Sequence, residues 1–299
     1  MTNLKKGDRV INLLAKDWGI GQVLKNIHGN NFSIFFTALG PKKIVNSDKL
    51  QLVTGKKANS IILDNLFIPQ KKEMNYISIA DSVKLFLARY PQGFNDPEYL
   101  RDERNYKHKT HKHAVKLLSE KNFSELLKKK EYAEICARAL KIMTFKPKED
   151  HKMNLLYSYG ELIPLQYGLK EIPNQKPFAK NLFYLLYGAA DELEDRFDQF
   201  CDVLATLKAN KWPIATFFLF IMFPDNYMII RPTPTREAAK LCAFEINYEA
   251  NTNFKTFDQV IKFSNYLKVE LSNLKPRDMI DVQSFMWCIK DDKKTTLKP

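Results

Sequence analysis

The chain has 299 residues, 45% of them apolar and 12% aromatic, enough for one large core or a small domain beside a larger one and far too rich in aromatics for disorder. Forty-seven Lys and Arg against 34 Asp and Glu leave a net charge of +13, an excess that calls for a partner of opposite sign. Ten Gly and 14 Pro exclude collagen-like and low-complexity classes.

Residues 1–54 hold five of the ten glycines, at positions 7, 19, 21, 29 and 40. Between them lie short β-type runs: Arg9–Leu13, Gly19–Lys25, Phe32–Phe36 and Lys42–Val45. With a Gly/Asn turn at His28-Gly29-Asn30-Asn31, this spacing predicts a small antiparallel barrel. A linker is expected over 55–75, with Pro69-Gln70-Lys71-Lys72 at its centre. From Tyr76 the apolar period becomes helical: Ile79, Val83, Phe86 and Leu87 share a face, with Asp81 as the expected cap. Helices are predicted over Val115–Leu127, Tyr132–Met143, Ala179–Ala190, Glu192–Leu207, Pro213–Phe223, Arg236–Phe244, Phe257–Leu274 and Asp278–Ile289. The expected fold is α+β, a β-barrel followed by a mainly α domain over 76–289 and a polar tail over 290–299.

Four scattered cysteines, Cys136, Cys201, Cys242 and Cys288, form no CxxC pair and predict buried thiols in a reducing compartment, with no metal. The N-terminus has no apolar leader, and the longest apolar run, Ile214–Phe223, is about half a bilayer span. A soluble cytoplasmic protein with no membrane partner and no cofactor is expected.

Two stretches carry resemblances. Lys6-Gly7-Asp8-Arg9-Val10 followed by Asp17-Trp18-Gly19-Ile20-Gly21-Gln22-Val23 resembles the SH3/Tudor-like barrels appended to DNA helicases and transcription-linked factors. That resemblance implies attachment, through Trp18 among others, to DNA or to a protein working on DNA; the alternative is that Trp18 caps the barrel core. Further on, Lys211-Trp212-Pro213-Ile214-Ala215-Thr216 opens an apolar helix, and Pro232-Thr233-Pro234-Thr235 leads into another that Thr235 is expected to cap. This order resembles the helix-hairpin-helix base-excision DNA glycosylases over about seventy residues. Thr233 stands where that family has its catalytic Asp, Ala215 where it has Lys, and the hairpin glycines are missing. The resemblance therefore implies a fold relation without the catalytic pair.

Three further constellations bear on function. Arg104, Lys107, Lys109, Lys112 and Lys116 follow one another with no intervening acid; on a helix they cover more than one face and are expected to track a phosphate backbone. His108, His111 and His113 lie among them, but so much positive charge disfavours a dication. The preceding Tyr90–Leu100 reads as a turn with Pro97 opening a helix, its aromatics stapling that start or stacking on a base. Asp278, Asp281, Gln283 and Ser284 sit in an otherwise apolar stretch, where they are expensive unless they meet donors, for which Arg231 and Arg236 are the expected partners. They form either a structural ion pair or a pocket. Asp191-Glu192-Leu193-Glu194-Asp195 reads as helix caps and a solvated first turn.

The enzyme reading is a glycosylase that flips out a damaged or modified base, phage DNA included. Asp281 or Asp278 would supply the acid, and Gln283, Trp287, Arg231, Thr233 and Arg236 would contact the substrate. The alternative is a non-catalytic adaptor that binds DNA or a polymerase.

Overall fold

The computed structural model describes residues 4–69, 76–147 and 156–291. The chain forms two compact units, Met1–Leu85 with Glu237–Ile246, and Phe86–Arg236 with Asn247–Pro299.

The first unit holds one antiparallel sheet of five strands: β1 (Arg9–Asn12), β2 (Ile20–His28), β3 (Asn31–Phe36), β4 (Gly40–Asn46) and β5 (Leu50–Val53), in the order β4-β3-β2-β1-β5. β4 and β5 are its edges, so the expected barrel is an open sheet. Val10, Val23, Ile34 and Phe36 are fully buried and pack with Leu4, Phe32, Val45 and Leu50. The half-buried Trp18 lies edge-on to Phe36, with ring centroids 5.2 Å apart. β5 escapes the sequence reading because four residues are too few to show a period; its pairing with β1, Val10 opposite Leu52, makes it a strand.

Residues 55–69 are not a bare linker. A 3-10 turn over Gly55–Ala58 leads to the short α1 (Ile61–Asp64), and Leu66 bridges Phe244. Main-chain bonds continue this contact: Glu245 N–H donates to Asn65 at 2.7 Å, Phe67 N–H to Ala243 at 2.9 Å and Ile77 N–H to Leu241 at 2.9 Å. The centre of the expected linker, 70–75, lies outside the described residues, as does the expected tail beyond 291. A chain beginning at Gly55 keeps all these bonds while losing the sheet. It is expected to retain its helical circular dichroism and a cooperative melt; a random-coil spectrum would show that the sheet is needed for the rest to fold.

Helices make up the remainder: α2 (Ile79–Arg89), α3 (Pro97–Tyr99), α4 (Asn105–Leu118), α5 (Glu120–Lys128), α6 (Tyr132–Met143) and α7 (Tyr159–Gly168). They are followed by α8 (Ile172–Tyr187), α9 (Leu193–Thr206), α10 (Trp212–Met222), α11 (Pro232–Leu241), α12 (Phe254–Glu270) and α13 (Met279–Asp291). All eleven residues of α10 are buried, as the apolar run predicts. Thr216 sits at its middle: its hydroxyl donates to Trp212 O at 2.7 Å and accepts from Ile230 N at 3.0 Å, docking the extended 228–230 piece onto the helix.

The departures from expectation have local causes. The predicted helix Val115–Leu127 is two helices, because Ser119 breaks the run and caps α5 through Asn122 N–H. At α2 the cap is Ser78, whose hydroxyl accepts from Asp81 N–H at 3.1 Å and donates to the Asp81 carboxylate at 2.8 Å; Asp81 is the reciprocal partner. Thr235 does not cap α11, which starts at Pro232, so Thr235 N–H bonds Arg231 O at 2.9 Å inside the helix. α8 starts seven residues before the expected Ala179 because Pro173 fits a first turn and Pro177 forfeits only one backbone bond. α7 escapes the sequence reading because Pro164 sits inside it.

Candidate functional site

Asp96 accepts from Glu98 N–H at 2.9 Å and starts α3 with Pro97 in its first turn, as the sequence predicts. The chain then passes through a π-helical turn, Leu100–Arg104, before α4. Widening the helix by one residue per turn re-aims its side chains, and such turns recur at functional sites. Here it sets Glu103 and Arg104, both only 7% exposed, against the start of α13. Phe86, Tyr90, Phe94 and Tyr99 pack edge-to-face around it, with Phe285 tilted against Phe86. The aromatics of 90–100 are therefore a buried staple, with Tyr99 fully enclosed.

At the centre is Asp281, 0% exposed. Its carboxylate accepts from the Tyr99 hydroxyl at 2.5 Å, Arg104 Nη1 at 2.9 Å, Arg277 N at 2.8 Å and Arg277 Nε at 2.9 Å. Asp278 takes a bidentate pair from Arg104, at 2.7 and 2.6 Å, and caps α13 through Ile280 N–H at 3.0 Å. Arg277, whose side chain is 37% exposed, closes the outer side and also donates to Phe94 O. Beside this pair lies Lys107, 1% exposed, with Nζ 2.6 Å from Gln283 Oε1, 2.9 Å from Ser284 Oγ and 3.3 Å from Glu103 Oε2. Three cations face three carboxylates, and the three protons of the Lys107 ammonium each have an acceptor.

The titration behaviour follows from this enclosure. Burial lowers the Lys107 pKa, opposed by Glu103. Burial alone would raise Asp278, but the hydrogen bonds and charge of Arg104 outweigh it and hold the carboxyl below its usual range. Burial, reinforced by Asp281, pushes the Tyr99 hydroxyl well up, so it stays a donor. A carboxyl with a depressed folded-state pKa stabilises the fold above its unfolded value of about 3.9, and that contribution fades as pH falls through the folded value. The melting-temperature gap between the parent and Asp278→Asn is thus expected to be constant from pH 7 to about 4 and to shrink below that. A gap independent of pH down to 2 would mean that the Asp278 charge does nothing for stability.

The structure corrects the expected pairing of these acids. Their donors are Arg104 and Arg277, not Arg231 and Arg236. Arg236 is exposed and lies 4.7 Å over the Tyr248 ring, Arg231 is half-buried on the approach to α11, and Thr233 is exposed. Gln283 joins the network through Lys107, while Trp287 is half-buried one turn further along α13. A fully buried carboxylate whose lone pairs are all engaged has nothing left to offer a sugar or a water. Sequence reasoning missed Arg277, Tyr99 and Glu103; the four-residue spacing of Arg277 and Asp281 was the one visible signal.

The basic run also divides. Arg104 and Lys107 are interior, whereas Lys112 and Lys116 are exposed and Lys109 is half-buried. Positions 109, 112 and 116 recur at helical spacing on α4. Over residues 104–147 there are twelve Lys and Arg against four Asp and Glu. Eight of these cations are exposed: Lys112, Lys116, Lys121, Lys128, Lys129, Lys130, Lys141 and Lys146. They lie on or beside α4, α5 and α6, which pack together: Asn122 donates to Lys116 O at 3.1 Å and Arg138 to Leu117 O at 3.0 Å. His113, stacked on Phe145 at 4.1 Å, has its pKa lowered by burial and then by Lys141 and Lys116, so lysines of two helices act on one point. His111 Nδ1 is 2.7 Å from Ile221 O and its ring stacks on His108. The acids Asp191–Asp195 precede and open α9, where Glu192 and Asp195 accept from the Tyr184 hydroxyl.

Of known families, one described as a protein of unknown function (DUF3553) matches residues 4–54, the span of the sheet. No curated protein and no solved structure matches the chain. Among the described residues no helix is long and apolar enough to cross a membrane.

Proposed function

We propose that the chain is a DNA-binding protein that holds the phosphate backbone on the exposed lysines of α4, α5 and α6, acting as an adaptor and not through excision chemistry at Asp278 or Asp281. The observation that carries this reading is the concentration of charge: eight exposed cations on or beside three mutually packed helices, with only four acids in the same span. Lysines at such density release counterions from a phosphate backbone and bind it without regard to sequence. The sheet over 4–54 is read as an SH3/Tudor-like accessory module, on the strength of its strand order and of Trp18, half-exposed with Lys42 Nζ 5.5 Å from its ring. Excision of a damaged or modified base keeps some support from the order α9, α10, extended piece, α11. It needs a different acid, because the two candidates are spent on Arg104 and Arg277. The deciding experiment is a salt titration of binding to a labelled 20-base-pair duplex. Affinity should fall steeply and linearly on logarithmic axes; no binding at low salt would reject the reading.

A further inference from the structure

Next to the basic helices, α6 and α7 enclose a groove of about 450 Å³. Its α6 wall includes Ala133 and Ala137, and its α7 wall Tyr159, Ile163 and Tyr167. Both sets recur at helical spacing, so each is one continuous face. The tyrosines are left largely open, Tyr159 at 70% and Tyr167 at 65% exposure. Lys170 lies 4.7 Å over the Tyr167 ring, and on α6 the exposed Lys141 continues the Ala133–Ala137 row by one turn, next to Leu140 of the lining. Two neighbouring acids are engaged, Glu134 with Arg138 at 2.7 Å and Glu161 with Ser158 N–H at 2.6 Å.

Exposed rings above a floor of Ala, Cys, Leu and Ile side chains, with lysines at the margin, fit a ligand that is flat, aromatic and tied to negative charge. We infer that this groove takes unpaired bases of single-stranded DNA, stacked on Tyr159 and Tyr167, while Lys141 and Lys170 hold the adjoining phosphates. Stacking on an aromatic ring is tolerant of sequence because every base has a π-face, and it complements a cationic track. A paired base keeps its faces inside the duplex and cannot use these rings. The inference rests on the DNA-binding reading above and adds strand state to it: the lysines of α4–α6 serve any DNA, and the tyrosines serve only unpaired DNA. An apolar peptide would use the same floor but gain nothing from the two lysines.

The test compares labelled (dT)20 with a blunt 20-base-pair duplex by fluorescence anisotropy, using the full chain, Tyr159→Ala, Tyr167→Ala and Tyr167→Phe. Both tyrosines are mostly exposed, so the variants are expected to keep the parent's circular dichroism and melting temperature. Each alanine variant should lose about tenfold in affinity for (dT)20 and less than twofold for the duplex, and Tyr167→Phe, which keeps the ring, should bind like the parent. Unchanged (dT)20 affinity in both alanine variants, with duplex binding intact, overturns the groove and leaves the lysine surface standing. Equal losses on both ligands also overturn it, since the tyrosines would then not discriminate strand state. If the parent binds neither ligand at low salt, the DNA-binding reading itself fails.

Discussion

Asp281→Asn is expected to lower the melting temperature by about 6–20 °C, the equivalent of roughly 3–5 kcal/mol for breaking a buried ion pair in a unit of this size. The substitution keeps the volume but removes the charge that faces Arg104 and Arg277, and it turns one acceptor into a donor that meets donors. Arg104→Met should be still more damaging at pH 7. Asp278 Oδ1 and Asp281 Oδ1 lie 2.7 and 2.9 Å from the same Arg104 Nη1, so removing the guanidinium leaves two carboxylates confronting one another out of water. Asp278 loses both guanidinium bonds while Asp281 keeps Arg277, so Asp278 should then take up a proton, because burial and a neighbouring like charge both favour the neutral carboxyl. Arg104→Met should accordingly recover part of its lost stability between pH 7 and 5, where Asp281→Asn recovers none. Thermal melts at the two pH values separate these outcomes. An Asp281→Asn protein that melts like the parent would remove the structural role and reopen a chemical one.

The second large effect concerns the lysines of α4 and α6. Replacing Lys112, Lys116 and Lys141 together by Ala should reduce duplex affinity by one to two orders of magnitude at about 50 mM salt, and should flatten the salt slope by roughly 0.9 per lost phosphate contact. All three are exposed, so the melting temperature should change little. The loss should be the same for unrelated sequences, because backbone contacts carry no base information. By contrast, Lys107→Ala should destabilise the fold and report on DNA only through unfolding, since that ammonium is inside and has three acceptors. Unchanged affinity and slope in the triple variant would move the binding surface away from these helices.

Local chemistry alone determined a good deal of this molecule. The Gly-punctuated β runs of the first 54 residues, the apolar α10, the Asp96-Pro97 start of α3 and the excess of positive charge are all readable, because each depends on residues close together in sequence. The polar residues of α13 also advertised that they needed partners, since carboxylates among Ile, Val and Phe cannot stay unpaired.

Which partners they took was decided only by the tertiary structure. Arg104 and Asp278 are 174 positions apart, and nothing in either neighbourhood distinguishes Arg104 from Arg231 or Arg236 as a donor. The π-turn at Leu100–Arg104 withdrew two cations from a run that otherwise reads as a solvated face. The same holds for β5, which is a strand because β1 lies beside it, and for 55–69, which is ordered because its backbone bonds reach 243–245. In each case the energy lies in contacts between distant segments, and composition and period record only that a partner is required, not which one the folded chain supplies.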